Sequence, residues 1–277
     1  MIYVIPLGGI ETASSRLRVH ALKPFIDFSF DLPSKYEKGD VLIIQKVHNP
    51  DELRKAQSQG AKVIFDIDDY YWYRDAYRKM VELADEVTVD TEEKAKEILK
   101  IRKTVKVVPD CLDWDGTVAE NPERDVIGWT GYGNNAESLN PIGGVVARHY
   151  TWKLITSTDI GKYVDFPFRF KEWSLGTVDK ELAKCEMTAY HLPDELVGNV
   201  KGMHKLLKSW AIGIPCYTSR MPDYVKAMQE AGVGEKYLVD DWSKLQNIGF
   251  DEKCREYAMQ YKPEAIAKKW LDVIQNL

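Results

Sequence analysis

The residues best suited to chemistry lie in four clusters. The first is Asp66-Ile67-Asp68-Asp69, closing an apolar run. Strand alternation would point Asp66 and Asp68 to one face and carry Asp69 into a loop. Adjacent carboxylates raise one another's pKa, which suits general-base work or the holding of sugar hydroxyls. The same residues would equally cap a helix and tie a loop, and spacing shows no third ligand for a divalent metal. His48, at the end of another apolar run, is either catalytic or structural. The second cluster spans residues 199–219, NVKGMHKLLKSWAIGIPCYTS. Its polar loop, Asn199-Val200-Lys201-Gly202, opens a helix carrying Met203, Leu206, Leu207, Trp210 and Ala211. Gly213, followed by Pro215, stops that helix. Lys201, His204 and Lys205 sit at the open end, where free backbone amides and lysines make a seat for a diphosphate. The competing reading is an amphipathic helix whose lysines face water. Arg16 and Arg18 form the third cluster, near the end of the first strand, where they hold an anion or acceptor or merely solvate a helix. The fourth is Tyr70-Tyr71-Trp72-Tyr73-Arg74 with Tyr77-Arg78-Lys79. Such interleaving stacks sugars or bases and contacts phosphates, or buries an aromatic helix with a basic edge.

These clusters need elements to position them. Residues 2–6 form a continuous apolar run ending in Gly8-Gly9, as a buried parallel strand does. Ser14 or Ser15 is the expected cap of the helix that follows. Strands are expected at 41–47, 62–67, 86–89 and 105–108, with helices at 51–58, around 81–84 and at 91–100. This alternation predicts a parallel sheet with crossover connections, whose ligand crevice lies beyond the carboxyl ends of the strands. Gly8, Gly9, His48, Asp68, Asp69, Thr91 and Asp110 all fall at those ends. Residues 120–125 are expected to link to a second α/β domain, beginning with a strand at 126–130 and a glycine loop, Gly131-Tyr132-Gly133-Asn134-Asn135. Further strands are expected at 152–156, 169–173, 187–191 and 236–239. Pro263 starts a terminal helix with Ile266, Trp270, Leu271 and Ile274 on one face. The expected domains are therefore 1–120 and 121–262, with a crossover helix at 263–277.

Composition narrows the class. The chain has 277 residues, 44% hydrophobic and 29% charged, which is ordinary for a globular protein. A net charge of −5 argues against a generally basic nucleic-acid coat but leaves room for a local basic cleft. Its 4 cysteines are dispersed, with no C-x-x-C pair, so reduced thiols in a cytoplasm are expected. The apolar start lacks the basic segment of a signal peptide, and no apolar run suits a membrane-spanning helix. A serine nucleophile elbow, a Walker loop and an H-E-x-x-H motif are missing.

In order along the chain, SSRLRVHAL, FDIDDYYW, ADEVTVDT, VKVVPDCLDW, IGWTGYGNN and NVKGMHKLLKSWAIGIP together resemble the GT-B glycosyltransferases, in particular bacterial and phage enzymes of the family-4 kind. The resemblance implies an α/β protein of two Rossmann-like parallel-sheet domains facing across a cleft, with the C-terminal helix packing back on the first. It implies transfer of a sugar from a nucleoside-diphosphate sugar, of the UDP-sugar kind, with no metal required. Gly131, Tyr132, Asn134, Lys201, Met203, His204 and Lys205 would surround the donor nucleotide and its diphosphate. Asp68, Asp69 and His48 would flank the acceptor hydroxyl, one of them taking its proton. Gly9, Ser15, Arg16, Arg18, Trp72 and Arg74 would complete the acceptor side. The related retaining enzymes carry a glutamate five residues before the helix-ending glycine, and this chain has Lys208 there. Two acceptors are open, a hydroxymethylated pyrimidine in phage DNA and a bacterial surface glycan or lipid-linked sugar. Basic and aromatic residues 70–79 favour the DNA. A non-catalytic sugar-nucleotide or nucleic-acid binding protein on the same fold is the reading of another class.

Overall fold

A computed structural model describes residues 1–158, 160–192 and 196–277. The chain divides into two compact units. Unit 1 comprises Met1–Asp113, Val200–Gly202 and Tyr261–Leu277, and unit 2 comprises Trp114–Asn199 and Met203–Gln260.

Unit 1 is built on a six-stranded parallel sheet of order β2-β1-β3-β4-β5-β6. Its strands are β1 (Ile2–Ile5), β2 (Phe28–Ser29), β3 (Val41–Gln45), β4 (Lys62–Asp66), β5 (Glu86–Val89) and β6 (Lys106–Val107). All residues of β3 and β5 are buried, the signature of a sheet covered on both faces. One core cluster joins Leu42, Ile44, Val63, Phe65 and Val87 to Leu53, Met80 and Ile98 of the crossover helices. The other joins Val4, Ile43 and Ile64 to Ile266, Ala267 and Trp270 of the terminal helix Pro263–Gln275. That helix packs back on the first sheet.

Crossover helices start where the local chemistry allows. Asn49 accepts from the Glu52 amide and Pro50 opens the helix Pro50–Ser58. Thr91 caps Glu92–Ile98 in the same way. The first helix, Ala13–Arg18, departs from expectation: its N-cap is Thr12, with no side-chain cap bond. Ser15 instead turns inward, where its hydroxyl accepts from the Gly8 amide at 3.0 Å and donates to Gln45 at 2.9 Å.

Unit 2 carries a five-stranded parallel sheet of order β11-β10-β7-β8-β9. Its strands are β7 (Glu123–Thr130), β8 (Thr151–Thr156), β9 (Phe168–Glu172), β10 (Cys185–Tyr190) and β11 (Cys216–Thr218). Three expectations are corrected here. Residues 123–125, expected in a linker, already belong to β7, although they are exposed. The glycine loop tightens into a 3₁₀ helix, Gly133–Leu139, and Gly133 has room for no side chain: a Cβ there would lie 2.4 Å from Thr158 Oγ1. The segment expected as a strand at 236–239 makes only a single bridge, Thr218 to Leu238, and is not a strand.

Candidate active site

In unit 1 the ends of β3, β4, β5 and β6 bring charges together that are far apart in sequence. Arg18 is fully buried and grips Asp66 with two nitrogens, Nε to Oδ2 at 3.0 Å and Nη2 to Oδ1 at 2.6 Å. Thr88 Oγ1 donates to the same Oδ1 at 2.6 Å. Arg18 also donates to the Val108 carbonyl and reaches Asp110 at 3.4 Å. Burial acts against its charge, but Asp66 and Asp110 more than compensate, so its pKa rises. Arg18 therefore lies inside the unit and solvates no helix surface, one of the alternatives left open by sequence. Arg16 bonds Asp113 at 2.7 Å and the Ile10 carbonyl at 3.0 Å.

Lys46 is one of the residues that sequence reasoning missed. It follows β3 in a left-handed conformation, φ 57, unusual for a side chain of this size. Its ammonium donates to Asp69 and to Ser14 Oγ, and lies 3.5 Å from Asp68 Oδ1. A lysine ending the apolar run Val41-Leu42-Ile43-Ile44 was the available signal. Burial pushes the Asp69 carboxyl up, but Lys201 and Lys46 outweigh it and hold Asp69 below the usual carboxylate range. The expected mutual raising of adjacent carboxylates is thus overridden at Asp69 by cations. Lys94, likewise missed, is buried against Asp90.

Around this cluster, His48 and Gly9 are exposed. Trp72 is 5% exposed and belongs to the core, edge-on to Tyr70, so it offers no open stacking face. Tyr73 is 55% exposed, with the Tyr70 ring 5.0 Å from its own, and the Arg74 guanidinium lies 5.5 Å from its ring and 4.7 Å from that of Tyr71.

In unit 2 the helix His204–Ile212 starts without a side-chain cap and ends at Gly213, φ 91. Lys205, in its first turn, places Nζ 4.9 Å from the Trp129 ring and 5.0 Å from the Tyr190 ring. Gly131 passes directly beneath. A Cβ there would meet the Trp129 ring at 2.8 Å and Lys205 Nζ at 3.0 Å, so only glycine fits. Thr156 Oγ1, at the end of β8, and Tyr190 OH, at the end of β10, are buried without a hydrogen-bond partner among the described residues. Burial pushes the Tyr190 phenol well up, so it stays protonated and able to donate. His191 Nδ1 is also buried without a hydrogen-bond partner among the described residues, and burial lowers its pKa, favouring the neutral ring. Buried polar groups without partners are uncommon, and several at the carboxyl ends of parallel strands mark a place where a polar ligand would satisfy them.

The expected donor set is divided by the fold. Gly131 and Lys205 meet in unit 2, where Met203 and His204 precede Lys205 on the chain, and Tyr132 and Asn134 are exposed. Lys201 belongs to unit 1, 3.6 Å from Asp69.

No protein-family model matches the chain, and a search of curated proteins gave no match. Solved structures do match. The chain is similar to the pneumococcal O-GlcNAc transferase GtfA, crystallised with UDP and GlcNAc, at 12% identity and TM-score 0.59, covering 87% of this chain but only 57% of that one. It is similar to T4 phage BGT in complex with its UDP-glucose substrate at 10% identity and TM-score 0.54, covering 99% of this chain and 96% of that one. It is also similar to an alpha-glucosyltransferase bound to UDP and a 13-mer DNA containing a HMU base, at 10% identity and TM-score 0.55, covering 99% of each chain. This chain thus spans little more than half of the first and nearly the whole of the other two. With its two parallel sheets, the chain has the GT-B fold.

Proposed function

We propose that this chain is a glycosyltransferase that moves a sugar from a UDP-type donor held by unit 2 to an acceptor hydroxyl held by unit 1. The observation that carries the reading is Lys205, held at an uncapped helix start above Gly131 and between the Trp129 and Tyr190 rings. In the reaction the acceptor oxygen bonds to the anomeric carbon while the bond from that carbon to the diphosphate oxygen breaks. The electron pair leaves with the nucleoside diphosphate. The Lys205 cation and the positive end of the helix it opens stabilise that growing negative charge. Tyr190, Thr156 and His191 supply buried polar groups for the nucleotide or sugar. In this reading the protein's own cations serve the diphosphate, and transfer continues in the presence of a chelator. Asp68, Asp69 and His48 border the acceptor position.

For the acceptor we propose a 5-hydroxymethylated pyrimidine in DNA. Two facts support it. One of the structures matched over nearly its whole length is an alpha-glucosyltransferase in complex with a 13-mer DNA containing a HMU base, and Tyr73 is an exposed aromatic residue beside the Arg74 cation.

Intact-product mass spectrometry tests both parts. The protein is incubated with a panel of nucleotide sugars and with hydroxymethylcytosine DNA, hydroxymethyluracil DNA or plain DNA. A sugar mass added only to the modified DNA is the expected result. Release of free nucleotide without transfer would keep the transferase and move the acceptor to a glycan or lipid-linked sugar. Silence on both counts would leave a binding protein on the same fold.

A further inference from the structure

We propose that Asp110 takes the proton of the attacking acceptor hydroxyl. The inference rests on the glycosyltransferase reading and assigns a role that the neighbouring aspartates are poorly placed to fill. Asp66, Asp68, Asp69, Asp90 and Asp110 gather at the carboxyl ends of β4, β5 and β6, and each is held differently. Asp66 has both oxygens occupied by Arg18 and Thr88, and its side chain is 0% exposed. Asp90 is 4% exposed and bonded to Lys94. Asp69 is shared by Lys46 and Lys201 and kept anionic, which makes it a weak base. Asp68 is 8% exposed, with Lys46 at 3.5 Å.

Asp110 combines two properties that none of these shares. Its side chain is 15% exposed, more than Asp66, Asp68 and Asp90 though less than the 30% of lysine-bound Asp69, so one edge reaches solvent. Its cationic neighbour, Arg18 Nη1, stands at 3.4 Å and donates to the Val108 carbonyl as well, while the rest of that guanidinium belongs to Asp66. A carboxylate weakly compensated by cations, yet reachable, is the one most ready to accept a proton. The charges bearing on it agree with this. Burial and the negative charges of Asp90 and Asp68 push its pKa up, Arg18 and Lys94 oppose them, and the result is about 7. A base in that range is half available at neutral pH and strong enough to be useful.

The step balances simply. The acceptor O–H bond breaks as the oxygen bonds to the anomeric carbon. The proton passes to an Asp110 carboxylate oxygen, and the diphosphate departs with the electrons of its bond to the sugar.

The experiment compares the parent protein with Asp110→Asn, Asp110→Glu and Asp69→Asn, using the donor and acceptor found productive for the parent. Asp110→Asn is expected to lower kcat by about 100-fold or more, as removal of a general base does, while the Kd for UDP stays within about twofold, since UDP contains no acceptor. Log kcat/KM of the parent should rise with pH and level off near 7, the limb of a base that must be deprotonated. In Asp110→Asn the residual rate should lose that limb, whereas Asp110→Glu should retain one at a shifted pH. Melting temperatures of all variants are recorded alongside. If Asp110→Asn does not fold, the decision passes to Asp110→Glu, whose limb must move if Asp110 is the base. Parent transfer with Asp110→Asn within about threefold in kcat, or an unmoved limb in a folded variant, would overturn this assignment alone. Absence of transfer by the parent would overturn the glycosyltransferase reading together with it.

Discussion

Lys208 and Asp179 form a buried ion pair inside unit 2, with Nζ 2.7 Å from Oδ1 and side chains 5% and 2% exposed. The second Asp179 oxygen accepts from the Asp115 amide at 3.0 Å. The position where the resemblance led one to expect a glutamate thus holds a lysine that is tied into the unit's interior. A buried pair contributes little net stability, but removing one partner strands the other charge. Lys208→Met should therefore cost about 3–5 kcal/mol, and adding Asp179→Leu should recover most of that loss. Urea unfolding of the parent, both single variants and the double variant measures this. Additive losses in the double variant would show that the pair is not the coupled unit described.

Gly131 and Lys205 permit a test on the donor side. Lys205→Ala should weaken UDP binding by roughly 10–100-fold, the worth of a hydrogen bond to a charged group at about 1.5–3 kcal/mol. Gly131→Ala should also weaken it, because its Cβ would push against the Trp129 ring and Lys205 Nζ. Calorimetric titration with UDP reads both. An unchanged Kd in Lys205→Ala would remove the diphosphate seat from unit 2.

Acid lability has an identifiable contributor in Glu181. Its carboxylate meets Lys153 at 2.6 Å and Lys184 at 2.9 Å. Burial raises its pKa, but these lysines bring it down from the ordinary 4.5 to about 2. A carboxyl whose folded pKa is depressed contributes stability that is full above its unfolded value and is lost as pH falls through the folded one. Unfolding free energy should therefore fall between about pH 4.5 and pH 2, and Glu181→Gln should flatten that part of the curve. An identical pH profile in the variant would refute the assignment.

Much of the architecture was legible in the sequence because buried parallel strands are written as apolar runs. Residues 41–45 and 62–66 could hardly be anything else, and Asn49-Pro50 announces a helix start. What eluded the sequence was pairing across distance. Arg18 and Asp66 are separated by 48 residues and are brought together only by the sheet. Nothing in the local sequence marks Lys46 and Lys94 for burial, and only the fold brings them against Asp69 and Asp90. Trp72 carries the same residue type as a stacking platform, and only burial distinguishes it from Tyr73 next door. The segment 236–239 had a strand's composition but found a single bridging partner at the sheet edge.

The exposed Tyr73 ring and its Arg74 neighbour bear most directly on the choice of acceptor. If modified DNA is the acceptor, Tyr73 stacks on a base and Arg74 contacts a phosphate. A base stacked on an aromatic ring is worth about 1–3 kcal/mol, so Tyr73→Ala should raise the KM for hydroxymethylated DNA by roughly 5–100-fold. Arg74→Ala should weaken DNA binding and flatten its dependence on salt by about one unit of log–log slope, as one lost phosphate contact does. Neither change touches unit 2, so release of UDP from the donor in the absence of acceptor should stay at the parent rate. Steady-state kinetics at several salt concentrations, with DNA and donor varied separately, resolve these effects. Equal losses on DNA and on donor turnover would point to a general defect. Unchanged KM and salt slope in both variants would remove this face from the acceptor site and, with it, the structural support for DNA.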